Sequence, residues 1–200
     1  PIILVVLTWF ITLGILIFYS GELVWKERNA NVDQIYDALP HPNWVTALSK
    51  IMAVMGVLLI LQLLAVGIGV IAQAGHGYTN FELGVYFREM IVLDMLGFLF
   101  LVVLSMIIHT LVNNKYIGYF AFVIFFILNI FIWQPLEIQS VMLRYGQTPG
   151  YTYSDMNGFG PFVPELTWFN LYWLLFAAVL AMGATFLWVR GKDNALRKRL

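Results

Sequence analysis

Six charged side chains crowd one short stretch of an otherwise apolar chain: Glu22, Lys26, Glu27, Arg28, Asp33 and Asp37, with Trp25 among them. Mixed carboxylates and cations at this density suit ion pairing with a folded partner, and they make no catalytic set. Three further polar residues, Gln62, Asp94 and Asn129, sit inside long apolar runs. A charge at mid-bilayer costs at least about 2.5 kcal/mol on insertion scales, so each such residue needs a partner or a task. Gln62 and Asn129 suit interhelical amide bonds. Asp94, about a turn inside its run, suits either a bond to headgroups or Arg88, or a place along a translocation path. A last cluster, Ser154, Asp155, Asn157 and Gly158, has turn chemistry. Its side chains accept local backbone bonds, and glycine tolerates positive φ. It reads as part of a folded cap, with a substrate gate as the other reading.

Other chemistries are missing from the sequence. There is no cysteine, which excludes disulfides and thiolate metal sites. There is no H-E-x-x-H pair, and no glycine-rich phosphate loop ending in Lys-Ser or Lys-Thr. His41, His76 and His109 stand apart, so no metal site is expected from spacing. No cofactor is expected on this chain.

The elements that carry these residues follow from hydropathy. The chain of 200 residues is 61% hydrophobic and 11% charged, against about 25% charged in soluble domains. Mean hydropathy is +0.82, too apolar for one water-soluble core. Formal net charge is zero, which gives no reason to expect a nucleic-acid partner. Apolar runs at about 1–19, 44–74, 91–112, 118–134 and 166–190 approach the 20 or so residues a crossing helix needs. They are continuous rather than alternating, which favours helices over a barrel. The expected fold is an all-α integral membrane bundle, one domain of about five transmembrane helices. Outer loops are expected near 75–90 and 135–165. The chain opens on Pro1 and reads as part of something longer.

Five crossings put residues 20–43, 113–117 and the tail 190–200 on one side. Lys26, Arg28, Lys50, Lys115, Arg190, Lys192, Arg197, Lys198 and Arg199 then share it, 9 of the 11 basic residues. The positive-inside bias makes that side cytoplasmic. In residues 21–40, Trp25, Val32, Ile35, Tyr36 and Leu39 recur at helical spacing, and Pro40 and Pro42 close the segment. This predicts a cytoplasmic amphipathic helix whose apolar stripe grips the bundle. It reads either as a simple interfacial connector or as a coupling helix for a soluble motor.

Glu22-x-x-Trp25-Lys26-Glu27-Arg28, then Asp37-Ala38-Leu39-Pro40, then Trp44 through Lys50 and a long apolar run, resembles the membrane domain of type-2 ABC exporter permeases. The first of these segments, with Val112-Asn113-Asn114-Lys115-Tyr116 and the run from Tyr153 to Gly160, is similar to bacterial ABC permeases fused to an M1-type zinc aminopeptidase domain. The resemblance implies the second to sixth spans of a six-span half, in the bacterial cytoplasmic (inner) membrane. It implies that Glu22, Trp25, Lys26, Glu27, Arg28, Asp33 and Asp37 couple to a separate ABC ATP-binding subunit that holds ATP and Mg. A second permease half, as homodimer or pseudo-dimer, would complete the pathway. No enzymatic activity is expected of these residues themselves. The competing readings are the membrane anchor of a zinc aminopeptidase and a structural subunit of a membrane complex.

Overall fold

A computed structural model describes residues 2–77, 81–112, 114–133, 135–137, 140–154 and 157–188, with the backbone alone for 2–8. Asp155 and the basic tail beyond residue 188 lie outside the described residues. The chain is an all-α polytopic bundle, with no β-strand among the described residues beyond one isolated bridge. Its helices are α1 (Ile2–Asn29), α2 (Asp33–Asp37), α3 (Asn43–Gly75), α4 (Leu83–Tyr86), α5 (Met95–Leu111), α6 (Lys115–Phe131) and α7 (Val163–Phe186). A π-helical segment, Phe87–Asp94, joins α4 to α5 without a break.

Four stretches are long and apolar enough to cross a membrane: Trp9–Asn29, Asn43–Gly75, Leu83–Leu111 and Gly160–Phe186. The fifth expected span, α6, is apolar but has 17 residues, at the short end of what spans a bilayer. At 33 residues, α3 is about 50 Å long, well beyond a hydrocarbon core of about 30 Å.

The core is built around α5, which packs on α1, α3, α6 and α7. Its sequence is apolar on every side, as a helix enclosed by others requires. Phe98, Phe100, Val102, Val103, Leu104 and Met106 are all buried. The outer helices bury only one stripe each. On α3 that stripe is Ala47, Ile51, Val54 and Leu58, while Met52, Leu59, Ile60, Leu63 and Leu64 face outward. In lipid there is little hydrophobic drive between helices, so close packing and polar bonds hold such a bundle.

One expected element is corrected. Residues 21–40 do not form a separate amphipathic helix. Instead α1 continues unbroken to Asn29. It ends in a Schellman motif: Asn31 adopts φ 54°, the Val32 amide donates to the Glu27 carbonyl at 3.0 Å, and the Asn31 amide donates to the Arg28 carbonyl at 3.1 Å. Asn is one of the few residues that tolerate this conformation. Lys26 and Arg28 in the last turn complement the helix dipole. Only the five-residue α2 follows. The expected stripe does not grip the bundle either: Trp25 is buried, but Val32, Ile35 and Leu39 are exposed.

Candidate functional site

Cross-element bonds sort the described residues into two ends. One end, called here the clamp end, joins residues near the close of α1 to the starts of α3 and α6 and the close of α7. The other, the cap end, joins the π segment and the opening of α7 to residues 140–154 and 157–162.

At the clamp end, Lys50 is buried on α3 and aimed at α1. Its Nζ donates to Glu27 Oε2 at 2.5 Å and to the Leu23 carbonyl at 2.6 Å, and lies 5.1 Å from the centre of the Trp188 ring. Lys115, at the start of α6, donates to Glu22 Oε1 at 2.8 Å, and the Tyr119 hydroxyl donates to the same oxygen at 3.2 Å. Asn43 Nδ2 donates to the Thr185 carbonyl at 3.2 Å. The close of α1 is therefore tied to α3 and α6, and the start of α3 to α7.

These bonds redistribute the seven coupling residues. Glu27 and Glu22 spend their carboxylates inside the chain. Trp25 is buried, with Arg28 stacked 5.0 Å above its ring. Lys26 is exposed, and Asp33 and Asp37 are half-buried. A cleft lined by Trp25, Glu27, Arg28, Asp33, Tyr36 and Asp37 has a volume of only about 40 Å³, room for little more than a water.

Just below the clamp, α1, α5 and α6 meet around His109. It is 1% exposed, and its Nδ1 donates to the Ser105 carbonyl at 2.9 Å. Ser105 and Ser20 hydroxyls lie 2.6 Å apart and tie α5 to α1. The approach is possible because residues 21 and 118 are glycine. A Cβ at Gly118 would sit 2.7 Å from the imidazole, and one at Gly21 2.5 Å from its Nε2 and 2.2 Å from the Tyr119 ring. The structure puts His109 in the core. Gly56 and Gly67 have open space beside them, and Gly69 meets only the Tyr86 side chain.

At the cap end, the structure brings the three intramembrane polar residues together. Asp94 and Asn129 line one cavity of about 370 Å³, with Gln147, Thr148, Tyr151 and Asn170. Gln62, on α3, reaches the same carboxylate: its Nε2 lies 3.4 Å from Asp94 Oδ2. Arg88 does not pair with Asp94 and instead stacks 5.7 Å from the Phe159 ring centre. Asp94 is the last residue of the π-helical segment. Such wide turns are rare and recur at functional sites, since the extra residue re-aims the side chains that follow. No periodicity in the sequence announced it.

The cavity's roof is fixed by buried bonds. Tyr145 donates from its hydroxyl to the Phe100 carbonyl at 2.7 Å, and Asn129 Nδ2 donates to the Tyr145 carbonyl at 3.1 Å. Trp173, 3% exposed on α7, donates to the Gln147 carbonyl at 2.9 Å. Trp173 is thus a buried anchor of α7. Burial pushes the Tyr145 phenol well above its ordinary pKa. The Tyr151 phenol is pushed up as well, by burial first and then by Glu89 and Asp94. The Ser154 cluster closes on itself: the Gly158 amide donates to the Ser154 carbonyl at 2.6 Å, with Gly158 at φ 58°. Phe159 beside it is buried against Tyr151 and Tyr153.

Among the described residues, no three His, Cys, Asp or Glu side chains gather closely enough to hold a metal ion. No family model matches this chain, and no curated protein or solved structure matches it.

Proposed function

We propose that this chain is the membrane-spanning part of an ATP-driven ABC permease, worked by a separate subunit that binds ATP and Mg. The observation that carries the reading is the layout of α1. One end of this single helix holds Glu22 and Glu27, bonded to α6 and α3, while its other half lines the cap-end cavity through Trp9. Eighteen residues of helix separate Trp9 from Glu27, a rigid link of about 27 Å. A push on the clamp end would be carried to the cavity by that rod and shared with α3 and α6.

The contact for the partner is the exposed surface beyond the clamp: Lys26 on α1, with Val32, Ile35 and Leu39. Glu22 and Glu27 hold the bundle's own helices rather than the partner. Coupling requires that the partner grip this surface differently in its ATP-bound and free states, since equal affinity shifts nothing. A second permease half would close the other side of the pathway. The clamp end faces the cytoplasm, in keeping with the distribution of basic residues.

The test is reconstitution with the ATP-binding subunit that co-purifies from native membrane. Ile35→Glu together with Lys26→Glu is expected to abolish stimulation of the partner's ATPase while insertion and thermal stability stay at wild-type levels. Undiminished stimulation by that variant would rule out this surface as the contact.

A further inference from the structure

We infer that the cap-end cavity is a binding site for an organic cation that carries an aromatic or similarly apolar group. The cavity, at about 370 Å³, falls in the size range of small-molecule sites. Its single ionisable carboxylate is Asp94, and among the described residues no ion pair is formed by it. Arg88, on the same π-helical segment, is engaged with Phe159 instead. The hydrogen bond Asp94 receives is the long one from Gln62. A carboxylate in an apolar wall without a counter-charge is costly, and a ligand that supplies the charge recovers that cost.

The rest of the lining selects the kind of cation. Trp9, Phe98, Phe126 and Tyr151 put aromatic rings into the walls, and ring faces attract cations and pack against apolar groups. A hard metal ion needs several oxygen ligands, whereas one carboxylate among rings suits a monovalent ammonium with a bulky body. Asn129 and Asn170 offer amides to orient it. That this ligand is the transported substrate rests on the permease reading; that it binds here does not.

The experiment measures equilibrium binding of radiolabelled benzyltrimethylammonium to the chain in nanodiscs, without any ATP-binding subunit. Its uncharged carbon analogue, neopentylbenzene, is the control competitor. Saturable binding is expected, with the cation at least about tenfold tighter than its analogue, the worth of one desolvated contact between a cation and the site's carboxylate or rings. Asp94→Asn is expected to remove that preference. Gly97→Leu provides an independent arm: Gly97 lines the cavity, and a side chain there would meet open space. It is expected to block binding of cation and analogue alike while the protein's unfolding temperature holds or rises. No saturable binding to the wild type, equal affinity for cation and analogue, or full binding by Gly97→Leu would each overturn the assignment. A cation that binds here while the Ile35 and Lys26 variant still couples to its ATPase would sink the coupling surface and leave this site standing.

Discussion

Neutralising Glu27 should hurt this protein more than removing the lysine it pairs with. The Lys50 side chain is 9% exposed and that of Glu27 23%. Glu27→Gln leaves the ammonium in place, deep between α1 and α3, with only neutral acceptors (the Leu23 and Val24 carbonyls and the new amide) and the Trp188 face to hold it. Breaking a fully buried pair costs about 3–5 kcal/mol. The partial exposure of Glu27 lowers the expected loss to about 2–3 kcal/mol. Lys50→Met removes the buried charge and fills the space with a flexible apolar chain. It leaves Glu27 near water and beside Lys26 and Arg28, so the expected loss is about 1 kcal/mol, the net worth of an ordinary hydrogen bond. The double variant is expected to match Lys50→Met, which gives a coupling energy of about 2–3 kcal/mol between the two sites. Reversible unfolding in mixed micelles, titrated with denaturing detergent, reads all four corners of the cycle. If Lys50→Met proves the more damaging, or if the two losses simply add, then the clamp is not the buried charge pair described here.

Gly118→Ala is expected to destabilise the bundle by about 1–3 kcal/mol, the usual range for overpacking, because its Cβ meets the His109 ring at 2.7 Å. Gly56→Ala, with open space beside it, is expected to be neutral or slightly stabilising in the same assay. Tyr145→Phe removes the bond to the Phe100 carbonyl and is expected to cost about 1 kcal/mol near neutral pH. The Tyr145 and Tyr151 phenols are raised in the folded state. The unfolded chain therefore releases these protons first as pH climbs past about 10, and stability falls from there upward. Tyr145→Phe is expected to flatten that alkaline decline when unfolding is followed from pH 8 to 11.

Hydropathy carried most of the fold. Five apolar runs became five helices of alternating direction, since continuous apolar stretches have few ways to satisfy their backbone in lipid. It also found Gln62, Asp94 and Asn129, because a polar side chain in such a run stands out by its cost alone. What hydropathy could not give was direction around each helix. Glu22 and Glu27 look like partner-facing charges in the sequence, yet Lys115 and Lys50 reach them from 93 and 23 residues away. Gly21 and Gly118 look no different from Gly56 until His109 is seen between the first two. The α1 terminus was missed for a similar reason. Charged residues suggested that the helix stopped at the membrane surface, whereas ion pairs and the Asn31 turn let it run ten residues further. The π segment ending at Asp94 has no sequence signature of period, so the lining of the cavity emerged only from the structure.

For a push on the clamp to reach the cavity, the two must lie on opposite sides of the membrane, with the clamp in the cytoplasm. A chain with no cysteine allows this to be measured directly, by single cysteines at Lys26 and at Gly150, both exposed. In intact cells, a membrane-impermeant maleimide is expected to label Gly150→Cys and to leave Lys26→Cys unlabelled until the cells are opened. Labelling of Lys26→Cys from outside, or of both positions from the same side, would contradict this arrangement.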